Sequence, residues 1–156
     1  NQALENYLNK NDIQLYRTDV GDKNVIEEMN KKYINFGGEQ SGHIIFSDIS
    51  KTGDGLASAL QVLALIIKSN KKTSQILNPF DLYPQKLINI EVKNKIPISK
   101  IKGLDNIIKD IQNQGLRQLI RYSGTENKLR VLLEGKNELV LNKYISKIKD
   151  FLEKRL

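Results

Sequence analysis

Two alternating segments, "LRQLIRY" (116–122) and "KLRVLLEG" (128–135), stand on either side of five small or polar residues, 123–127. Side chains on a strand point alternately to opposite faces, so the pattern predicts two strands joined by a tight turn. The neighbouring sequence fits the same reading. "KLINIEVKN" (86–94) is a strand pattern, with Leu87, Asn89, Glu91 and Lys93 on one face and Ile88, Ile90 and Val92 on the other. "LDNIIKDIQNQG" (104–115) places Leu104, Ile107, Ile108 and Ile111 at helical spacing and ends on Gly115, a C-terminal cap residue. "LVLNKYISKIKDFLEKR" predicts a closing helix with Leu141, Tyr144, Ile145, Ile148 and Leu152 on one side. The order β-α-β-β-α over residues 81–156 describes a small α+β domain, an antiparallel sheet with helices on one face.

Residues 1–80 read differently. Residues 2–9 are the end of a helix in which Leu4 and Leu8 share a face. "IQLYRT" (13–18) alternates like a strand, and "VIEEMNKKY" (25–33) is a short helix. "INFGGEQSGHIIFSD" (34–48) reads as strand, glycine-rich turn, strand. "GDGLASALQVLALIIKSN" predicts a helix of about four turns, with Asp54 as its N-terminal cap. Its apolar residues run nearly all round, so it is expected to be sandwiched between other elements. Helices and strands in alternation predict an α/β domain, a mixed sheet layered with helices. "LNPFDLYPQKL" (77–87) carries two prolines and little periodicity, and the hinge between domains is placed there.

Composition narrows the chemistry. The 156 residues include no cysteine, which excludes disulfides, thiolate metal sites and a cysteine nucleophile. The longest apolar run is shorter than a membrane span and contains polar residues; together with the absence of a signal-peptide pattern this predicts a cytoplasmic protein without a membrane partner. Net charge is +7, unevenly spread: residues 1–85 carry −1 and residues 86–156 carry +8. A basic half attracts anions, either nucleic acid or phosphorylated metabolites. Only Tyr122 and Tyr144 are tyrosines beyond residue 86, too few for a base-stacking platform, so nucleic acid is not expected as a partner.

Two polar turns stand out. In "GGEQSGH" (37–43), Glu39, Gln40, Ser41 and the chain's one histidine, His43, lie among three glycines. Sugar hydroxyls both donate and accept, so a Glu and Ser pair can bridge them; equally, the stretch can be a polar hairpin that only turns the chain, with a structural histidine. In "RYSGTENKLR" (121–130), Ser123 and Thr125 supply hydroxyls, Gly124 leaves backbone N–H groups open, and Arg121 and Arg130 can fork onto an oxyanion. That makes a candidate monophosphate pocket, or else a solvated hairpin with two surface arginines. No GxxxxGK[ST] phosphate loop occurs. In "KTGDG" (51–55), Asp54 is read as a helix cap rather than a metal ligand.

Taken in order, "GGEQSGHIIFSD", "TGDG" before a long helix, "YPQ" (83–85) and "RYSGTENKLRVLLEG" resemble the C-terminal part of the bacterial phosphoglucosamine mutases, a family within the α-D-phosphohexomutase superfamily. "RTDVGDKNVIEEM" (17–29) resembles the family's segment ahead of its sugar loop. The conjunction of GE-x-SGH with R-x-SGTE about eighty residues later carries the resemblance, which runs nearly end to end. Family members have four domains: the first bears a phosphorylated serine, the second a Mg²⁺-binding DGDxDR loop, the third a sugar-reading loop and the fourth a phosphate-gripping loop. Neither the serine loop nor the DGDxDR loop is in this sequence. The resemblance therefore implies most of domain three (1–80) followed by domain four (81–156), with no catalytic or metal-ligating residue in this part.

By position, Glu39, Ser41 and His43 are implied to bind sugar hydroxyls, and Arg121, Ser123, Gly124, Thr125 and Arg130 the phosphate that is not being transferred. The reaction so implied interconverts glucosamine 6-phosphate and glucosamine 1-phosphate through a phosphoserine and a sugar 1,6-bisphosphate, in the service of amino-sugar and cell-wall precursor metabolism. The implied partners are a phosphosugar and the N-terminal domains of the same polypeptide. Phosphomannomutase/phosphoglucomutase, or a non-catalytic phosphosugar-binding module, are the alternatives. The sequence departs from the family at Asn127, where proline commonly follows SGTE; at Tyr122, where proline or lysine is usual; and at Asp19, where relatives often carry a basic residue.

Overall fold

The computed structural model describes all residues, 1–156. The chain separates into two compact units, one formed by Leu8–Pro79 and the other by Asn1–Tyr7 together with Phe80–Leu156. The chain thus passes between units twice, near residues 7–8 and again at 79–80. What ties the first residues to the second unit is specific. Asn1 Nδ2 donates to the Tyr83 carbonyl (3.1 Å) and Asn1 Oδ1 accepts from Tyr83 N–H (3.2 Å), Asn6 Nδ2 donates to the Tyr83 hydroxyl, and the Tyr7 and Phe80 rings lie 5.0 Å apart. Asn6 and Tyr7 belong to helix α1 (Gln2–Lys10).

The unit Leu8–Pro79 holds helix α2 (Asp22–Lys32), a hairpin of β1 (Phe36–Gly38) and β2 (Ile44–Phe46), helix α3 (Gly55–Ser69) and a single turn, α4 (Thr73–Ile76). The strands pair antiparallel, with Gly37 opposite Ile45. Val25 and Met29 of α2 pack with Ile45 as a small core. Gly37 makes that packing possible: a Cβ there would stand 2.4 Å from Met29 Sδ and 2.8 Å from Val25 Cγ1. Asp54 caps α3, accepting from Ala57 N–H at 2.9 Å, because an exposed helix N-terminus leaves its first N–H groups without partners.

Two expectations for this unit change. Residues 13–18 are not a strand: neither sheet includes them, and a ladder needs two paired sides. Helix α3 is as apolar as anticipated but is not sandwiched: Leu56 and Ile67 are 74% and 78% exposed, and Leu60, Leu63 and Leu65 are also open. Those side chains are open to solvent, so the helix's all-round apolarity does not bury them here. Even so, no helix is long and apolar enough to cross a membrane.

The second unit carries the larger core. Strands β3 (Gln85–Glu91), β4 (Arg117–Tyr122) and β5 (Lys128–Glu134) form an antiparallel sheet in the order β3-β5-β4. Helices α5 (Leu104–Asn113) and α6 (Glu138–Glu153) cover one face, and Ile90, Leu129, Val131 and Leu133 interdigitate there with Leu104, Ile111, Leu141, Ile148 and Leu152. The α6 stripe Leu141, Tyr144, Ile145, Ile148 and Leu152 is buried throughout, as its spacing requires. Gly115 follows α5 in the left-handed region (φ 69°), where glycine meets no Cβ penalty, and Leu116 N–H closes onto the Ile111 carbonyl. The β-α-β-β-α order with helices on one face is the α+β architecture anticipated from the sequence.

Candidate functional site

The register of β4 on β5 decides what the second polar turn can do. Arg121 lies directly opposite Arg130, and Asn89 of β3 lies on the other side of Arg130. All three share the sheet face opposite to the buried Leu129, Val131 and Leu133. Like charges facing each other across a ladder destabilise it. The protein compensates one of them: Glu126 Oε2 is 3.0 Å from Arg130 Nη2, and its Oε1 is 2.7 Å from Lys128 Nζ. Lys128 first and Arg130 second hold the Glu126 carboxyl below its ordinary range. Arg130 is thus engaged in an internal ion pair, though its buried Nε has no partner. The Arg121 side chain has neither an ion pair nor a hydrogen bond to the chain, and stands as an unneutralised guanidinium across the ladder from a second one. Arg117, four residues back on β4 and on the same face, is spent on the buried Glu134 at 2.7 Å.

The turn itself is anchored rather than open throughout. Ser123 is 3% exposed; its N–H donates to the Lys128 carbonyl, and its Oγ accepts from Glu126 N–H at 3.3 Å. Thr125 and Gly124 are exposed, and their N–H groups donate to no acceptor in the chain. Gly124 does not occupy the left-handed region, and a Cβ there would meet nothing within 4 Å. Nothing internal requires glycine at 124; a bare backbone there leaves room for a group approaching from outside. Unpaired N–H groups and a free guanidinium are the kinds of group that can bind an oxyanion.

The first polar turn is built the opposite way. Glu39 is partly buried, with one carboxylate oxygen accepting from Gly21 N–H at 2.9 Å and the other 3.3 Å from His43 Nδ1. Ser41 Oγ lies 3.4 Å from the same ring nitrogen. His43, without an evident partner in sequence, therefore has two within its own turn. Glu39 N–H and the His43 carbonyl close the hairpin at 2.8 Å, and Gly42 (φ 101°) supplies the left-handed turn residue. Each carboxylate oxygen has a second acceptor direction, so a fixed Glu39 still accepts from hydroxyls. A concavity of about 320 Å³ lies upstream, lined by Arg17, Asp19, Asn24, Glu27 and Lys31 among others.

The structure gathers Glu39, Ser41 and His43 in one turn, and Arg121, Ser123, Gly124, Thr125 and Arg130 in another. The two turns belong to different units. Sequence reasoning did not single out Gly21, whose N–H fixes Glu39 from eighteen residues upstream, or Lys95, whose Nζ donates to the Ser123 carbonyl at 2.8 Å. Neither has a local sequence signal, because both act through contacts distant in the chain. No cluster of three or more His, Cys, Asp or Glu side chains forms a metal site, so the residues present do not make one for magnesium.

Residues 1–83 match the family model for phosphoglucomutase/phosphomannomutase, alpha/beta/alpha domain III, and residues 87–150 match that for the C-terminal domain. The chain belongs to this family. It is 64% identical over all 156 residues to the phosphoglucosamine mutase of Aliarcobacter butzleri (strain RM4018), and spans 35% of that relative's length. A solved structure of Aspergillus fumigatus N-acetylphosphoglucosamine mutase covers 99% of this chain and 37% of its own, with a TM-score of 0.82 at 18% identity. A second structure of that enzyme, in complex with GlcNAc-6P and magnesium, covers 97% of this chain and 39% of its own at a TM-score of 0.74 and 18% identity. At that identity the likeness is one of fold.

Proposed function

We propose that this chain is the C-terminal part of a phosphoglucosamine mutase, an isomerase that interconverts glucosamine 6-phosphate and glucosamine 1-phosphate. In this reading the phosphoserine and the magnesium site lie in upstream domains, the reaction passes through a sugar 1,6-bisphosphate, and the enzyme works in the cytoplasm on a cell-wall precursor. The residues described here bind and orient and make no covalent bond. Glu39, held by Gly21 and His43, accepts from sugar hydroxyls, and Ser41 adds a donor. Arg121, with the open N–H groups of Gly124 and Thr125, grips whichever phosphate is not being transferred. Ser123 holds the turn in shape, and Arg130, shared with Glu126, adds charge. Energy from that remote grip then orients the reacting end.

The observation that carries this reading is the Arg121–Arg130 cross-strand pair, in which Arg121 has no internal counter-charge. The 64% identity over the whole chain to a phosphoglucosamine mutase supports the glucosamine branch. Arg121→Ala in the complete polypeptide is expected to weaken glucosamine 6-phosphate binding by about 1.5–3 kcal/mol, the scale of a lost hydrogen bond to a charged group. Titration calorimetry checks this, and unchanged affinity would count against the grip.

A further inference from the structure

The segment between β3 and the 3₁₀ turn at Ile98–Lys100 contributes no side chain to the functional reading above, yet it is tied to the phosphate-type turn three times. Val92 N–H donates to the Asn127 carbonyl at 3.0 Å, the Tyr122 hydroxyl donates to the Ile96 carbonyl at 2.7 Å, and Lys95 Nζ donates to the Ser123 carbonyl at 2.8 Å. The ties reach both ends of the turn: Tyr122 and Ser123 on the β4 side, Asn127 on the β5 side.

From this geometry we infer that residues 92–97 are a strap that sets the shape of the phosphate-type turn, with Lys95 and Tyr122 as its positioning residues. The chemistry supports it. The Gly124 and Thr125 N–H groups are themselves unpaired, and within the turn only Ser123 anchors them, so further stiffness comes from the flanks. The Tyr122 hydroxyl reaches across to the Ile96 carbonyl, and the Asn127 backbone carbonyl takes the Val92 N–H. An ammonium donating to the Ser123 carbonyl also draws electron density through that peptide, whose N–H is that of Gly124. Lys95 thereby makes one of the open oxyanion donors more acidic as well as fixing its direction.

The inference rests on the reading of this turn as a phosphate grip, and the experiment separates the two. Glucosamine 6-phosphate is titrated into the complete polypeptide carrying Lys95→Met, Lys95→Arg, Tyr122→Phe, Lys93→Met or Arg121→Ala, with the melting midpoint of each. Lys95→Met and Tyr122→Phe are each expected to weaken binding about three- to tenfold, within what one hydrogen bond is worth, with at most a small fall in the midpoint. Lys95→Arg, which keeps a cationic donor, is expected to bind like the parent. Lys93→Met removes the same charge from the same segment without touching the turn, and is expected to be silent. Tyr122→Phe deletes one oxygen from an intact ring, so it reads the strap even if Lys95→Met loosens the fold. Parental binding by Lys95→Met and Tyr122→Phe, while Arg121→Ala binds weakly, overturns the strap and leaves the grip standing. Equal losses in Lys93→Met and Lys95→Met, or no recovery in Lys95→Arg, also overturn it, since the effect is then only charge or only fold. Parental binding by Arg121→Ala removes the grip, and the strap's role falls with it.

Discussion

The hairpin over residues 36–46 and the hairpin over residues 117–134 each end in a glycine-containing polar turn, but they divide structure and chemistry differently. In the first, the same atoms do both jobs. Gly37 admits Met29 and Val25, and Glu39 is bonded to Gly21 and His43 before any ligand arrives. In the second, the sheet is held by a fourteen-residue core on one face, and the turn's open groups sit on the other. Arg121 and Gly124 contribute nothing internal that the fold needs. Where a unit's core is small, its polar turn also takes part in its packing; where a large core stands behind a turn, charges on that turn can stay unpaired.

That contrast can be tested. The largest effect is expected from the second core: Leu133→Ala, at a fully buried position, should cost about 2–5 kcal/mol of stability. Urea unfolding followed by hydrogen exchange should show the loss within Phe80–Leu156; the chain has no tryptophan to report it. A loss confined to residues 8–79 would reverse the assignment of the stronger core. Next comes a pair of glycines. Gly37→Ala forces a Cβ against Met29 and Val25 and should destabilise the first unit by about 1–3 kcal/mol. Gly124→Ala should change stability by less than about 0.5 kcal/mol, as surface changes do, while weakening phosphosugar binding. If Gly124→Ala unfolds the protein, or Gly37→Ala is neutral, the separation of roles is wrong.

The smallest expected effect is electrostatic and belongs to the second unit. Lys128 and then Arg130 depress the Glu126 carboxyl below its ordinary 4.5, and Lys147 together with the Tyr144 hydroxyl depresses Asp110 below 3.8 against the opposing effect of burial. A depressed carboxyl stabilises the fold above its unfolded value and loses that contribution as pH falls through the lower folded value. Lys128 and Lys147 are raised above 10.5 by the same partners, so their share persists below that value and fades as pH rises through the raised one. Stability of the second unit should therefore sag slightly below about pH 4 and again above pH 10.5. Glu126→Gln with Asp110→Asn should flatten both limbs of a melting-point profile. These groups are exposed, so the change is small.

Much of the second unit was legible because its signals are local. Strand alternation in 116–122 and 128–135, the α6 stripe from Leu141 to Leu152 and the glycine after α5 each state their own geometry. Both polar turns were also found from residue type alone, and the family match over residues 1–83 and 87–150 agrees with the order of their motifs. The expectation for 13–18 failed because alternation describes a side-chain pattern, whereas a strand also needs a neighbour. The expectation for α3 failed for a related reason: an all-round apolar helix says that cover is wanted, not where in this chain it is.

The amino-acid order by itself determined which segments coil, which extend, where the glycine turns fall and which functional groups they carry, because these follow from spacing and backbone sterics within a few residues. Only the tertiary structure decided that Arg121 faces Arg130, that Glu126 neutralises one of them and not the other, that Gly21 fixes Glu39, and that Lys95 and Tyr122 tie a distant segment to the turn. Those facts depend on strand register and on contacts between residues far apart in the chain. Coulomb and hydrogen-bond energies vary with separations that no local pattern encodes.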